Sequence, residues 1–163
     1  MTTFYMQMVD IFDRYAEEVD AGPTALEDVA TWAVQQGLFK PMPRSIVQMC
    51  KEALADSLRQ QKRVDAQGRK YRAKHSVRIV EGGVQYNLWA DIDRNPPRSF
   101  MEKSFAQRRK SIADDCFQAK MDIDHYNEAH PDQPAIQLVL RFEEDVAEME
   151  AAGKIGHKDD KAA

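Results

Sequence analysis

The stretch KYRAKHSVRIVEGGVQYNLWA, Lys70–Ala90, decides the fold. Its apolar residues alternate, with Tyr71, Ala73, His75, Val77 and Ile79 on one side of an extended chain and Arg72, Lys74, Ser76 and Arg78 on the other. Successive side chains of a strand point to opposite faces, so this period of two predicts a half-buried strand over Lys70–Val80. Glu81-Gly82-Gly83 is hairpin-turn chemistry, and Val84–Ala90 is the return strand. Upstream, Asp65-Ala-Gln-Gly68 is a turn. Downstream, the Pro-rich segment around Asn95-Pro-Pro97 closes the unit.

Before this hairpin the period is helical. Phe4, Met8, Ile11, Phe12, Tyr15 and Val19 recur at three and four, which predicts a helix over residues 3–19 ended by Gly22-Pro23. Thr24 and Glu27 have the spacing of a capping box for a second helix, about 25–36, with Gly37 at its C′ position. Pro43 suits the first turn of a third helix, about 43–61. Projected at 100° per residue, Ile46, Val47, Met49, Cys50, Ala53, Leu54 and Leu58 form an expected core face. Arg44, Ser45, Gln48, Lys51, Glu52, Asp56 and Arg59 form an outer one.

Beyond the hairpin, Ser99 and Glu102 suggest a second capping box opening a long helix to about residue 130. Its stripe is Met101, Phe105, Ile112, Cys116, Ala119, Ile123 and Tyr126. After His130-Pro131, residues 135–150 are expected to form a helix packed antiparallel on the long one, with a strand over Ile136–Phe142 as the alternative. The fold class is therefore mainly α with a small β-hairpin: a winged helix-turn-helix domain over 1–95, a helical hairpin over 98–151, and a polar, disordered tail over 152–163.

Composition excludes several classes. At 163 residues and 43% hydrophobic, the chain is long enough to fold around a core, and no apolar run approaches a membrane span. The first residues lack a basic and an apolar signal region, so a cytoplasmic protein is expected. Two cysteines, Cys50 and Cys116, make no disulfide framework and are expected to be buried thiols. No phosphate loop, nucleophile elbow or HExxH pair occurs, and no enzyme or cofactor is indicated. Asp114-Asp115 and Asp122-x-Asp124-His125 fail the EF-hand rules and read as a solvated acidic helix face. Trp32, Trp89 and His75 read as packed residues.

The net charge of −4 conceals segregation. Residues 1–36 carry −6, residues 62–78 carry +6, residues 94–110 carry +5 and residues 111–150 carry −9. Surface fields act over roughly a Debye length, about 8 Å, so an acidic chain can hold a basic surface. Arg44, Ser45, Gln48 and Lys51 on the third helix, with Arg69, Lys70, Arg72, Lys74 and Arg78 on the wing, are the candidate nucleic-acid contacts.

The runs ALEDVATWAVQQGLF, SIVQMCKEALADSLRQQKRVDAQGRKYR and GGVQYNLW, within Thr24–Asp91, resemble winged helices of the HARE-HTH type. That group includes the amino-terminal domain of the RNA polymerase delta subunit. The likeness lies in the helix spacing, the D-x-x-G-R turn and the closing Gly-x-x-Tyr-x-Leu-Trp. It implies a winged-helix fold and a role near DNA or the transcription machinery, and no catalytic residue. This wing is longer and more basic than the type. The carboxyl-terminal half is similar to bacterial proteins of the same two-part layout, which implies no function. Two roles follow as expectations: a DNA-binding accessory or regulatory protein on duplex DNA, or a protein-interaction adaptor without nucleic-acid contact. A homodimer through residues 99–150 is expected in either case.

Overall fold

A computed structural model describes residues 3–159, with side chains to residue 153. The fold is mainly α with a small β component: α1 Phe4–Glu18, α2 Leu26–Gln35, α3 Ile46–Gln60, β1 Lys62–Val64, β2 Lys70–Arg72, β3 Lys74–Glu81, β4 Val84–Asp91, α4 Arg98–Ala129 and α5 Glu143–Asp159. Two compact units divide between Glu52 and Ala53, within α3. Among the described residues no helix is long and apolar enough to cross a membrane.

In the amino-terminal unit α1 starts at Thr3, whose hydroxyl accepts the Met6 N–H at 3.2 Å. Ile11 and Tyr15 of α1 pack on Val29 and Ala33 of α2, with Met8, Trp32 and Leu38 around them. The Tyr15 and Trp32 rings meet edge to face at 5.5 Å. Capping differs from the sequence expectation. The N-cap of α2 is Ala25, which leaves Thr24 one position too early to close the box with Glu27. The other end of α2 is as expected: Gly37 (φ +67°) donates to Val34 O, and Leu38 donates to Ala33 O, a Schellman closure that returns Leu38 to the core. The start of α3 also shifts. Ser45 caps it by accepting the Gln48 N–H at 3.1 Å, and Pro43 stays outside.

The face of α3 expected to be core holds no buried residue. Ile46 is 85% exposed, Val47, Met49 and Leu54 are also exposed, and Cys50 is exposed rather than buried. Periodicity identifies an apolar face but not whether a partner element covers it.

In the carboxyl-terminal unit the predicted single strand over Lys70–Val80 is broken at Ala73. β2 pairs with β1 in one antiparallel sheet and β3 with β4 in another. Ala73 is fully buried at the break. Its N–H goes back to Gln61 O and its carbonyl accepts from Ile92, so one residue bonds to the chain before the first hairpin and after the second. The β3–β4 register pairs Glu81 with Val84 across Gly82 and Gly83, both at positive φ, as a two-residue hairpin turn requires.

α4 starts after Pro97 with no side-chain cap, and Glu102 pairs with Arg98 instead of closing a box with Ser99. Among the described residues α4 and α5 do not form the expected packed helical hairpin. Residues 134–142 have no regular secondary structure, α5 begins only at Glu143, and every residue of 131–153 is exposed. The dense Ile, Leu, Val and Phe run over 136–142 has strand rather than helix propensity, and the helix starts after it. The helix continues through Gly153–Asp159, a stretch expected to be disordered; the end of that tail, 160–163, lies outside the described residues.

Candidate nucleic-acid interface

The scaffold of the site is a polar cluster between the two hairpins. Asp91, at the end of β4 and only 6% exposed at its side chain, receives both Arg63 guanidinium nitrogens at 2.7 Å and Lys74 Nζ at 2.6 Å. Arg63 also reaches Asp93 at 2.6 Å, and the Tyr71 hydroxyl donates to Asp93 at 2.8 Å. Arg63 and then Lys74 hold the Asp91 carboxyl far below the usual carboxylate range. Asp93 is lowered by Tyr71 first and Arg63 second. The Arg63 guanidinium is raised above its ordinary value, chiefly by Asp91. Bidentate arginine–carboxylate geometry is directional, so this cluster fixes β1–β2 against β3–β4.

The outer edge of β3 is satisfied by α4. Gln107 accepts from the Arg78 N–H at 2.8 Å and donates to the Arg78 carbonyl at 3.0 Å, while the Ser104 hydroxyl donates to Ser76 O at 2.8 Å. His75, buried as expected, bonds to the Arg72 carbonyl at 2.9 Å and meets Phe105 edge to face.

These two supports leave a basic surface. One cleft of about 330 Å³ is lined by Arg59, Arg72, Arg78, Trp89 and Arg108, among others. A second, of about 370 Å³, adds Lys62 and Lys70 and shares Arg72 and Arg108. Lys62 lies directly across from Arg72 in the β1–β2 register. Burial and the neighbouring Arg72 charge hold the Arg108 guanidinium below its ordinary value. Among the described residues Lys62, Lys70, Arg72, Arg78 and Arg108 form no ion pair. Like charges opposed across a ladder repel, and five unneutralised cations on adjoining clefts suit an extended anion.

The nine sequence candidates divide sharply. Lys70, Arg72 and Arg78 are in the clefts and make no ion pair among the described residues. Lys74 lines the first cleft, but its charge is taken by Asp91. Arg69 is held by Asp65 through its backbone N–H and its Nε, at 2.9 and 2.7 Å. On α3, Arg44 bonds to Glu52 at 2.6 Å, Gln48 to the same carboxylate at 3.0 Å, and Ser45 serves as the cap. Lys51 is exposed and makes no ion pair among the described residues.

Lys62 and Arg108 were not among the sequence candidates. Lys62 follows the helix expected over about 43–61, and its signal was its place in the basic segment 62–78. Arg108 lies in the basic segment 94–110, whose charge of +5 was the signal for it. Trp89, read as core, is half-buried on the first cleft with the Arg59 guanidinium 5.9 Å from its ring centre. No family model matches the chain, and neither do curated proteins or solved structures.

Proposed function

We propose that this protein binds duplex DNA, as an accessory or regulatory factor, through the phosphate backbone. The observation that carries the reading is the group of five cations with no ion-pair partner among the described residues, Lys62, Lys70, Arg72, Arg78 and Arg108, on two adjoining clefts. Cations already neutralised by protein carboxylates release few counterions on binding, and these five are not neutralised. Three helices followed by hairpins is the order of a winged helix, and the likeness to the HARE-HTH type supports the same reading. Glu52 occupies Arg44 and Gln48, so the contacts fall on the hairpins and α4 and are phosphate contacts rather than base reading.

A second reading, a protein-interaction adaptor, is favoured by the exposed Ile46, Val47, Met49 and Leu54 of α3. A mobility-shift titration on mixed-sequence duplex separates the two. The DNA reading expects binding on every sequence, and weaker, less salt-sensitive binding in an Arg72→Gln/Arg108→Gln chain that keeps its helicity. Equal binding by that chain, or no binding by the native one at low salt, refutes it.

A further inference from the structure

The β3–β4 sheet has one covered edge and one open edge. Arg78 turns its N–H and carbonyl outward to Gln107, so its cross-strand partner Asn87 turns both groups outward on the other side. The same alternation turns Gln85 and Trp89 outward, and no backbone partner meets Gln85, Asn87 or Trp89 there among the described residues. Val84, Tyr86 and Leu88 flank this edge on one face and are each about half exposed. An open edge bordered by apolar side chains is a template for another strand.

The chain also holds a segment with a strand's side-chain pattern that lies outside both sheets. Gln137 to Arg141 make no backbone hydrogen bond among the described residues, and Ala135–Phe142 is exposed throughout. Ile136, Leu138, Leu140 and Phe142 alternate with Gln137, Val139 and Arg141, the period of a one-sided strand. Edge and segment are each eight residues long and carry the same pattern.

The segment does not reach the edge of its own chain. Asn127 grips Ile136 through both its N–H and its carbonyl, at 2.9 and 3.0 Å. Full pairing needs Ile136 beside Ala90, which pairs with His75, which packs on Phe105. Phe105 and Asn127 are separated by about 33 Å of helix at 1.5 Å per residue. We propose that β4 takes up the Ala135–Phe142 segment of a second copy, antiparallel, with Tyr86 opposite Leu140 and Leu88 opposite Leu138. Antiparallel pairing keeps Glu143, Glu144 and Asp145 away from Asp91 and Asp93, which a parallel strand would bring together. Each copy offers one edge and one segment, so reciprocal exchange closes a dimer.

The test uses the full chain with Cys50→Ser and Cys116→Ser. Chains carrying Tyr86→Cys and chains carrying Leu140→Cys are mixed and oxidised. The expected result is a covalent dimer from the mixture, at least tenfold more abundant than from either chain alone. Efficient Leu140→Cys self-linking would show the segment pairing with itself and overturn the proposal, as would a monomer by light scattering at tens of micromolar. Asn87→Pro removes an outward N–H while leaving the β3 ladder intact, and is expected to weaken dimerisation at least tenfold. If that chain misfolds by circular dichroism, Val139→Pro, in the exposed segment, reads the same loss. A dimer of native affinity in whichever variant folds refutes the strand exchange.

Discussion

Replacing Arg72 and Arg108 together by Gln gives the sharpest test of the basic clefts, because the structure sets the number of free charges. Neutralising five phosphates predicts a slope of log K against log salt of about −4.5, from roughly −0.9 per contact. Between 50 and 200 mM salt that slope lowers affinity about 500-fold, and three remaining contacts lower it only about 40-fold. The assay is fluorescence anisotropy on a labelled mixed-sequence duplex over that salt range. Native chain and variant should separate most at low salt and converge as salt rises. The control is Arg44→Gln/Arg69→Gln. Both of its targets are already paired, with Glu52 and Asp65, so the slope should change by less than one contact. A native slope in the cleft variant, or an equal fall in the control, would show that unpaired position is not what selects the contacts.

Other outcomes follow from the scaffold. The depressed carboxyls of Asp91 and Asp93 contribute stability that is fully present above the ordinary carboxylate value, about 3.9, and lost as pH falls through their folded values. Thermal melts should therefore weaken below about pH 4, and Asp91→Asn should melt lower at pH 7 with a flatter acid limb. Gln107→Ala removes both bonds on Arg78 and should cost about 1–3 kcal/mol in urea unfolding of the carboxyl-terminal unit, at a net 0.5–1.5 per bond.

Local features were legible in the sequence where one residue type carries a backbone demand. Gly82-Gly83 turned where expected, Gly37 closed α2, and the alternation of Ala73, His75 and Val77 placed those three side chains inside. Features that depend on distant partners were not legible. The pattern over 70–80 is continuous, and nothing in it marks Ala73 as the point where the chain leaves one sheet for another. The strand reading of 136–142 and the helix reading rested on the same apolar run, and the Asn127 grip on Ile136 comes from nine residues away. For the candidate contacts, composition identified the basic segment but not its pairing. Asp91 is 28 residues from Arg63 and 17 from Lys74, so the conversion of Lys74 from contact to strut is a property of the fold alone.

The cations left over by that pairing impose a cost on the folded chain. Lys62 faces Arg72 directly across β1–β2, neither forming an ion pair among the described residues, and burial together with the Arg72 charge depresses Arg108. Opposite-charge or β-branched pairs at such positions are worth about 0.2–1 kcal/mol, and like charges reverse the sign. Lys62→Thr should therefore stabilise the unbound protein by a few tenths to about 1 kcal/mol, while removing one phosphate contact. A solvated strand face with no ligand predicts a different result: stability rises and DNA affinity stays the same. A site shaped for an anion predicts opposite signs in the two measurements, because the repulsion relieved by the substitution is the repulsion a bound phosphate relieves. Denaturant unfolding with and without duplex reads both. With duplex present, the native chain should gain more stability than the Lys62→Thr chain; an equal gain would place Lys62 outside the interface.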